Sequence, residues 1–528
     1  MRRLIVLAAA GIAAVVAATG CSGGGSVTPP PPMGGFSNSS LKGQYAFSMV
    51  GQDLSGAFLA RVGSFTADGN GNITAAVEDL GSAGRVAFTG GSYSIQSNGR
   101  GTLTLTQNAT AGIGFSITLT SANAGLMVQT DLNATSSGSF HLQSPGSFSV
   151  SGIHNNYVFS TAGVEGTVGA PLAIMGQMTT DGGGTVTSGV IDINDGALAD
   201  VTPPAAIPSG GTYGQDSANL NDLASFGRGV ITFDGFTFVF YIVDSTHLLL
   251  LEEDGANVTS GDAFQQSGAI PTQTSNFSAG SFVYLIGGAA VTGNFGPIAR
   301  AARFTTDGSG NLSNIFLDDN NDGNLHSIAN SSGVTQSTYA IDTSAIAVNR
   351  GRGTFTFKQS SLGTFSLVFY LMSPTQAVLQ DQSVGLISSG TMLGQSGTIS
   401  NSSLAGNYAF NWSGQVLPSG GNVGFEEDFV GQYAQANASS NNISGAVDFV
   451  EPGSTSNKVP QFLNSVVAGT FNPSGDGTAS NNYQVTISSS SAPSTTFNYK
   501  AYVASGNTIF LVSSDNTRVT AGAVSPQQ

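Results

Sequence analysis

Apolar and polar residues alternate one by one through short runs, and the runs are separated by glycine-rich punctuation. Tyr45 and Phe47, Leu103 and Leu105, Phe115, Ile117 and Leu119, and Phe236, Phe238 and Phe240 each stand two apart. Residues two apart share one face of a strand, so every such run predicts a strand with one apolar face. No stretch carries a sustained 3.6-residue apolar period with caps, so helices are expected to be few and short.

The runs recur in a fixed order, four times, about 110–130 residues apart, which is longer than solenoid repeats of ~20–50 residues. The opening strand Leu41-Lys42-Gly43-Gln44-Tyr45-Ala46-Phe47 matches Leu404-Ala405-Gly406-Asn407-Tyr408-Ala409-Phe410, with looser copies at Asn156-Tyr157-Val158-Phe159 and Gly280-Ser281-Phe282-Val283-Tyr284. A turn follows, with Asp68-Gly69, Asp181-Gly182 and Asp307-Gly308 at matching places and Asn441-Asn442-Ile443-Ser444-Gly445 in the fourth unit. Asp-Gly between alternating runs is a hairpin signal, because glycine accepts the positive φ that such turns need. Each turn feeds a strand ending in acid, at Glu78-Asp79, Asp192, Asp318-Asp319 and Asp448. Next comes Gly99-Arg100-Gly101, repeated at Gly227-Arg228-Gly229 and Gly351-Arg352-Gly353, and changed to Gly475-Asp476-Gly477 in the fourth unit. A closing strand carries Ser137-Gly138 with Gln143, Ser260-Gly261 with Gln266 and Ser389-Gly390 with Gln395; Ala521-Gly522 stands in that place in the fourth unit.

These landmarks bound four units: 36–148, 149–270, 271–398 and a divergent 399–528. The first yields about eight strands by its turn signals. The expected fold is all-β, four tandem antiparallel meanders. An open meander of low charge would expose two bare edges, and closing strand eight onto strand one removes them. Each unit is therefore expected to be an eight-stranded up-and-down barrel, lipocalin- or avidin-like in architecture. β-Sandwiches are the alternative.

Composition narrows the function. Charged residues are 9% of the chain, glycine is 72 of 528 residues, and the net charge is −16. Low charge density with 40% hydrophobic residues excludes wholesale disorder and coiled coils. The acidic balance argues against nucleic-acid binding, which needs basic stripes.

Arg2 and Arg3 precede an apolar run from Leu4 to Ala18, too short to span a bilayer and proportioned as a secretory signal. It ends in Ala18-Thr19-Gly20-Cys21, and Cys21 is the one cysteine of the chain. This resembles the lipobox of bacterial lipoproteins. The resemblance implies cleavage after residue 20, acylation of Cys21 and a membrane partner held through that lipid anchor. Ser22 after the cysteine points to the outer membrane, so the expected address is the cell envelope. Residues 22–35 read as a Gly/Ser/Pro tether, stiffened by Pro29 to Pro32. The landmarks together resemble uncharacterised Gly/Thr-rich repeat lipoproteins of environmental bacteria, a family that implies an address and no activity.

The candidate chemistry is sparse. The turns at Asp68, Asp181 and Asp307 are oxygen-rich, which suits Ca²⁺, but they are expected to be structural, with each Asp bonding its own backbone. Asp318, Asn320 and Asp322 match the opening of an EF-hand loop and are the better calcium candidate, although Ala329 stands where a bidentate Glu belongs. No other cofactor is expected. Arg100, Arg228 and Arg352 would either bind an anion at a barrel mouth or pair within their units with Asp79, Asp192 and Asp318. The exchange of arginine for Asp476 favours the structural role. Glu252-Glu253 and Glu426-Glu427 are adjacent along strands, where neighbours face opposite ways, so neither pair is expected to flank a glycosidic bond. His141, His154, His247 and His326 show no metal-ligand spacing, and no nucleophile elbow, zincin or P-loop motif occurs. The expected function is a non-catalytic binding module, a tethered string of four domains that gains avidity from repetition. Its partner would be an extracellular protein, a glycan or a small apolar ligand. A carrier with barrel pockets, a divergent carbohydrate-active hydrolase and a passive spacer are the alternatives.

Overall fold

The computed structural model describes residues 35–528 except 109–110, 132, 167–168, 197–199, 202, 278, 293–295, 330–335, 360–361, 398, 418–423, 436–440, 452–460, 472–482 and 490–491. Cys21, the signal segment, all of the tether but its last residue, and Gly475-Asp476-Gly477 lie outside the described residues.

Barrel 1 is built from β1 (Lys42–Asp53), β2 (Phe58–Asp68), β3 (Asn72–Leu80), β4 (Gly84–Phe88), β5 (Gly90–Ile95), β6 (Arg100–Asn108), β7 (Ala111–Ser121), β8 (Ala124–Gln129) and β9 (Ala134–Leu142). The pairing runs β1–β2–β3–β5–β6–β7–β8–β9 and back to β1, all antiparallel, while β4 folds back on β3 outside the cycle. Barrel 2, from His154–Glu165 to Asn257–Gln265, closes the same way. So does barrel 4, from Gly406–Val416 to Arg518–Pro526. In barrel 3, from Gly280–Ala290 to Leu386–Gln395, the described residues of one seam meet at the bridge Asn311–Thr338, with Leu312 N–H to Ser337 carbonyl and Tyr339 N–H to Gly310 carbonyl bonds of 2.9 Å each. Four eight-stranded meander barrels replace the sandwich alternative, because every first strand pairs with its last.

Local sequence explains the closure. Gly138, Gly261, Gly390 and Gly522 sit on the last strands where a Cβ would collide with the carbonyl oxygens of Ser48, Ser160, Leu285 and Asn411 on the first. In the Asp-Gly turns, Gly69, Gly182 and Gly308 have φ of +84°, +74° and +75°, which only glycine adopts freely.

The barrel interiors are filled. Tyr45, Phe47, Phe65 and Phe140 pack ring against ring in barrel 1, as Phe277, Phe304, Phe355 and Phe369 do in barrel 3 and Phe410, Trp412, Phe429 and Tyr499 in barrel 4. Barrel 2 is filled by Tyr157, Phe159, Phe238 and Phe240 with Ile174, Ile231 and Leu250.

The barrels form a closed ring, not the expected string. The first strands of each barrel pack on the last three strands of the next, from barrel 1 onto 2, 2 onto 3, 3 onto 4, and 4 back onto 1. Each joint has its own apolar core. Val50, Val62 and Val77 meet Tyr241, Leu249 and Leu251; Val158, Met175 and Val190 meet Val368, Tyr370 and Val378. Val283, Leu285 and Ala301 meet Tyr502, Phe510 and Val512, and Ala409, Val430 and Val450 meet Leu126 and Val128. A head-to-tail interface that closes after a fixed number of copies gives a ring; here the copies are covalent neighbours in one chain.

Candidate functional site

The recurring acids and arginines meet at the joints. Arg228 Nε and Nη2 donate to both oxygens of Asp79 at 2.7 Å, and Arg352 does the same to Asp192 at 2.8 Å. Arg100 Nη2 lies 2.6 Å from Asp448 Oδ2. The expectation of pairs within one unit with Asp79, Asp192 and Asp318 is therefore corrected: each arginine reaches the acid of the preceding barrel around the ring. Within their own barrels, Arg228 and Arg352 also hold Asp216 and Asp342, each at 2.6 Å. Burial works against the charge on Arg228 and Arg352, but the Asp79 and Asp192 bonds outweigh it and raise both. All three guanidinium groups are buried and engaged, which leaves no barrel-mouth anion site on them.

Two further residues repeat around the ring. Tyr241 and Tyr370 donate to Asp79 and Asp192 at 2.6 and 2.5 Å, and Tyr502 donates to Asp318 at 2.5 Å. Gln143, Gln266, Gln395 and Gln527 each send the side-chain amide into the next barrel, to the carbonyls of Ile242, Leu371, Val503 and Leu119. Gln527 was not singled out above, yet it stands six residues after Ala521, the offset of the other three from their serines. The last residues thus clasp the first barrel and close the ring.

The calcium candidate is also joint material. Asp318 and Asn320 lie on the strand Leu312–Asn321 and face barrel 4, and Asp322 sits in the hairpin after it. Asp318 accepts from Ser327 and Tyr502, while the Asn320 amide donates to the carbonyls of Ser513, Asp515 and Arg518. Asp318 and Asn320 thus serve the joint with barrel 4 on extended backbone, which is not the loop that an EF-hand wraps around a cation. Among the described residues, no three Asp, Glu or His side chains group as metal ligands. Asp68, Asp181 and Asp307 each accept two amide hydrogens of their own turn at 2.7–3.0 Å. In Asp68 the Asn72 side chain and the turn amides lower the pKa to about 2.

A cleft of about 520 Å³ lies where barrels 1 and 2 meet. Phe58, Gly81, Gly84, Glu165, Glu252 and Glu253 are among its walls. Both residues border the cleft, but the Glu253 N–H still donates to the Thr237 carbonyl at 2.9 Å, so alternation holds: Glu252 bonds within barrel 2, and Glu253 lies on the joint side, toward Asp79 and Arg228. Glu252 accepts from Thr259 at 2.7 Å and Asn257 at 3.1 Å. Burial pushes both glutamates up to about 7, with Asp79 adding to the effect on Glu253. A carboxyl near half-protonation both donates and accepts hydrogen bonds at neutral pH. The matching places elsewhere are Gln129-Thr130 and Asp381-Gln382, so the acidic pair is particular to barrel 2.

No protein-family model and no curated protein matches the chain. Among solved structures, transferrin binding protein B of Neisseria meningitidis aligns at 9% identity over 78% of this chain and 82% of that one, with a TM-score of 0.21. A mutant of the Haemophilus parasuis protein aligns at 11% identity over 77% and 84%, with a TM-score of 0.20. Intact Ap-TbpB, with N and C lobes, aligns at 9% over 76% and 83%, with a TM-score of 0.15. At such scores the likeness carries no argument about function.

Proposed function

We propose that the chain is a non-catalytic binding lipoprotein of the bacterial cell envelope, held at the membrane through an acylated Cys21. The ring is its rigid platform, and the cleft between barrels 1 and 2 is its contact with a hydroxyl-rich ligand of the glycan class. One observation carries this reading: the residues that recur in the units are used to join barrels, while the cleft is lined by an acidic pair that does not recur. Repetition therefore serves assembly, and the avidity argument gives way to a single site. Two carboxyls with near-neutral protonation, glycine walls open to close approach and the Phe58 ring suit hydroxyl groups and sugar faces.

The test joins retention with turnover. Immobilised envelope and plant polysaccharides are offered to the Cys21→Ser protein, and both bound protein and released reducing ends are measured. The expected result is binding without release, weakened about tenfold by Glu253→Gln, an effect of one hydrogen bond to a charged group. Binding that survives Glu253→Gln unchanged would remove the cleft from the account. Steady release of reducing ends abolished by Glu253→Gln would establish the hydrolase reading instead. Cys21→Ser is expected to move the protein from the membrane to the soluble fraction; retention would contradict the anchor.

A further inference from the structure

Three joints carry small or apolar residues where the fourth carries carboxyls. Val62, Met175, Ala301 and Val430 are equivalent, because each pairs with the joint acid of its own barrel. Two residues before them stand Ala60, Ala173, Ala299 and Asp428, and four before them Phe58, Pro171, Pro297 and Glu426. Asp428 and Glu426 share the outer face of the strand Phe425–Gln435, which packs on β7, β8 and β9 of barrel 1. They are 0% and 3% exposed; Glu426 Oε2 finds no hydrogen-bond partner among the described residues, and Asp428 has only the Ser137 hydroxyl of barrel 1 beside it, outside good hydrogen-bond geometry. This is the joint that no linker spans: its two sides come from opposite ends of the chain.

We propose that Glu426 and Asp428 make the joint between barrels 4 and 1 a proton-operated latch, closed when the two carboxyls are protonated and loosened when they ionise. Among the described residues, no cation is placed to neutralise them. Arg100 of β6 is bound to Asp448, and Glu427, on the opposite face of their strand, holds Arg518 inside barrel 4. Glu451, past the end of the neighbouring strand, is itself an acid. Barrel 1 offers hydroxyls, Ser137, Thr135 and Thr118, with Leu126 and Val128. Its other ionisable groups are turned elsewhere: Asp131 accepts the Gln129 amide and the His141 ring lies against His247 of barrel 2.

Burial is the main cause that raises both carboxyls, Asp428 to about 8, with the Ser137 hydroxyl working the other way and Glu427 adding to the rise. The sign follows. An acid whose pKa is raised in the closed state holds a proton that the open state releases. Closure is favoured below the ordinary aspartate value of about 3.9 and is lost progressively as pH rises to about 8, tenfold per unit for each carboxyl.

The test uses two buried, equivalent positions in the Cys21→Ser chain. Leu126→Cys places a thiol in the latch joint and Val378→Cys places one in the joint between barrels 2 and 3. Their alkylation rates are compared at pH 5 and pH 7, and the ratio cancels the thiol's own titration. The ratio is expected to rise about a hundredfold if one carboxyl ionises on opening. It is expected to stay flat in Glu426→Gln/Asp428→Asn, whose amides imitate the protonated groups. A flat ratio in the parent, or the same rise in the double variant, overturns the latch.

Discussion

The joint between barrels 2 and 3 and the joint between barrels 3 and 4 occupy the same place in the repeat and close with different donors. Asp192 accepts two bonds from Arg352 and one from Tyr370, whereas Asp318 accepts from Tyr502 and from Ser327 of its own barrel. Unit four has Asp476 at the arginine position, outside the described residues. The apolar packing and the glutamine clasp persist in both joints. The difference shows that the acid marks a structural socket which tolerates any donor that fills it. A ligand site shared by four units would not tolerate that exchange.

Breaking the comparison starts with the arginine. Arg352→Met is expected to cost about 3–5 kcal/mol of stability, because it strands Asp192 buried without its counter-charge. Tyr502→Phe at the weaker joint removes one hydroxyl from Asp318 and is expected to cost ~1–3 kcal/mol. Calorimetric unfolding of both variants checks the order; equal losses would mean that the joints are equivalent after all. Next comes the clasp. Gln527→Leu leaves the Asn98 and Leu119 carbonyls without their donor, and Gln395→Leu frees the Val503 carbonyl and Arg303 Nε. Each is expected to lower stability by ~1–3 kcal/mol. An unchanged stability in Gln527→Leu would show that the terminal clasp is dispensable.

The smallest expected effect separates joints from turns by the sign of their pH dependence. Asp68, half-buried at the end of its strand, is lowered by the Asn72 side chain and its turn amides, and Asp307 is lowered by its own turn. Their contribution is present above the ordinary carboxylate value and fades as pH falls toward 2. The latch carboxyls and Glu252 act oppositely and favour acid. Asp68→Ala is expected to flatten the acid limb of the stability curve slightly and leave the neutral limb unchanged; a change in the neutral limb would couple the turn to the joints.

Fold class was legible because single-residue alternation and Asp-Gly turns are local signals. Tyr45, Phe47, Phe115 and Ile117 are buried in barrel 1 as their spacing predicts. The ring was not read, since its evidence is a departure from alternation. Leu248-Leu249-Leu250-Leu251 and Val283-Tyr284-Leu285-Ile286 are apolar on both faces because one face lines the barrel and the other lines a joint. Recurrence at Arg228, Asp79 and Gln143 revealed residues under one constraint but not that the constraint joins neighbouring units. The cleft was hidden because its walls come from two units, and the periodicity of one strand does not report what neighbouring barrels enclose.

Solution scattering of the mature chain at pH 5 tests ring closure most directly. A closed particle of this length is expected to have a radius of gyration of about 23 Å, and four such units in line would give roughly 34 Å. The smaller value, rising when Gln527 and Arg100 are both replaced, is the result that closure predicts. The larger value in the unaltered chain would contradict it.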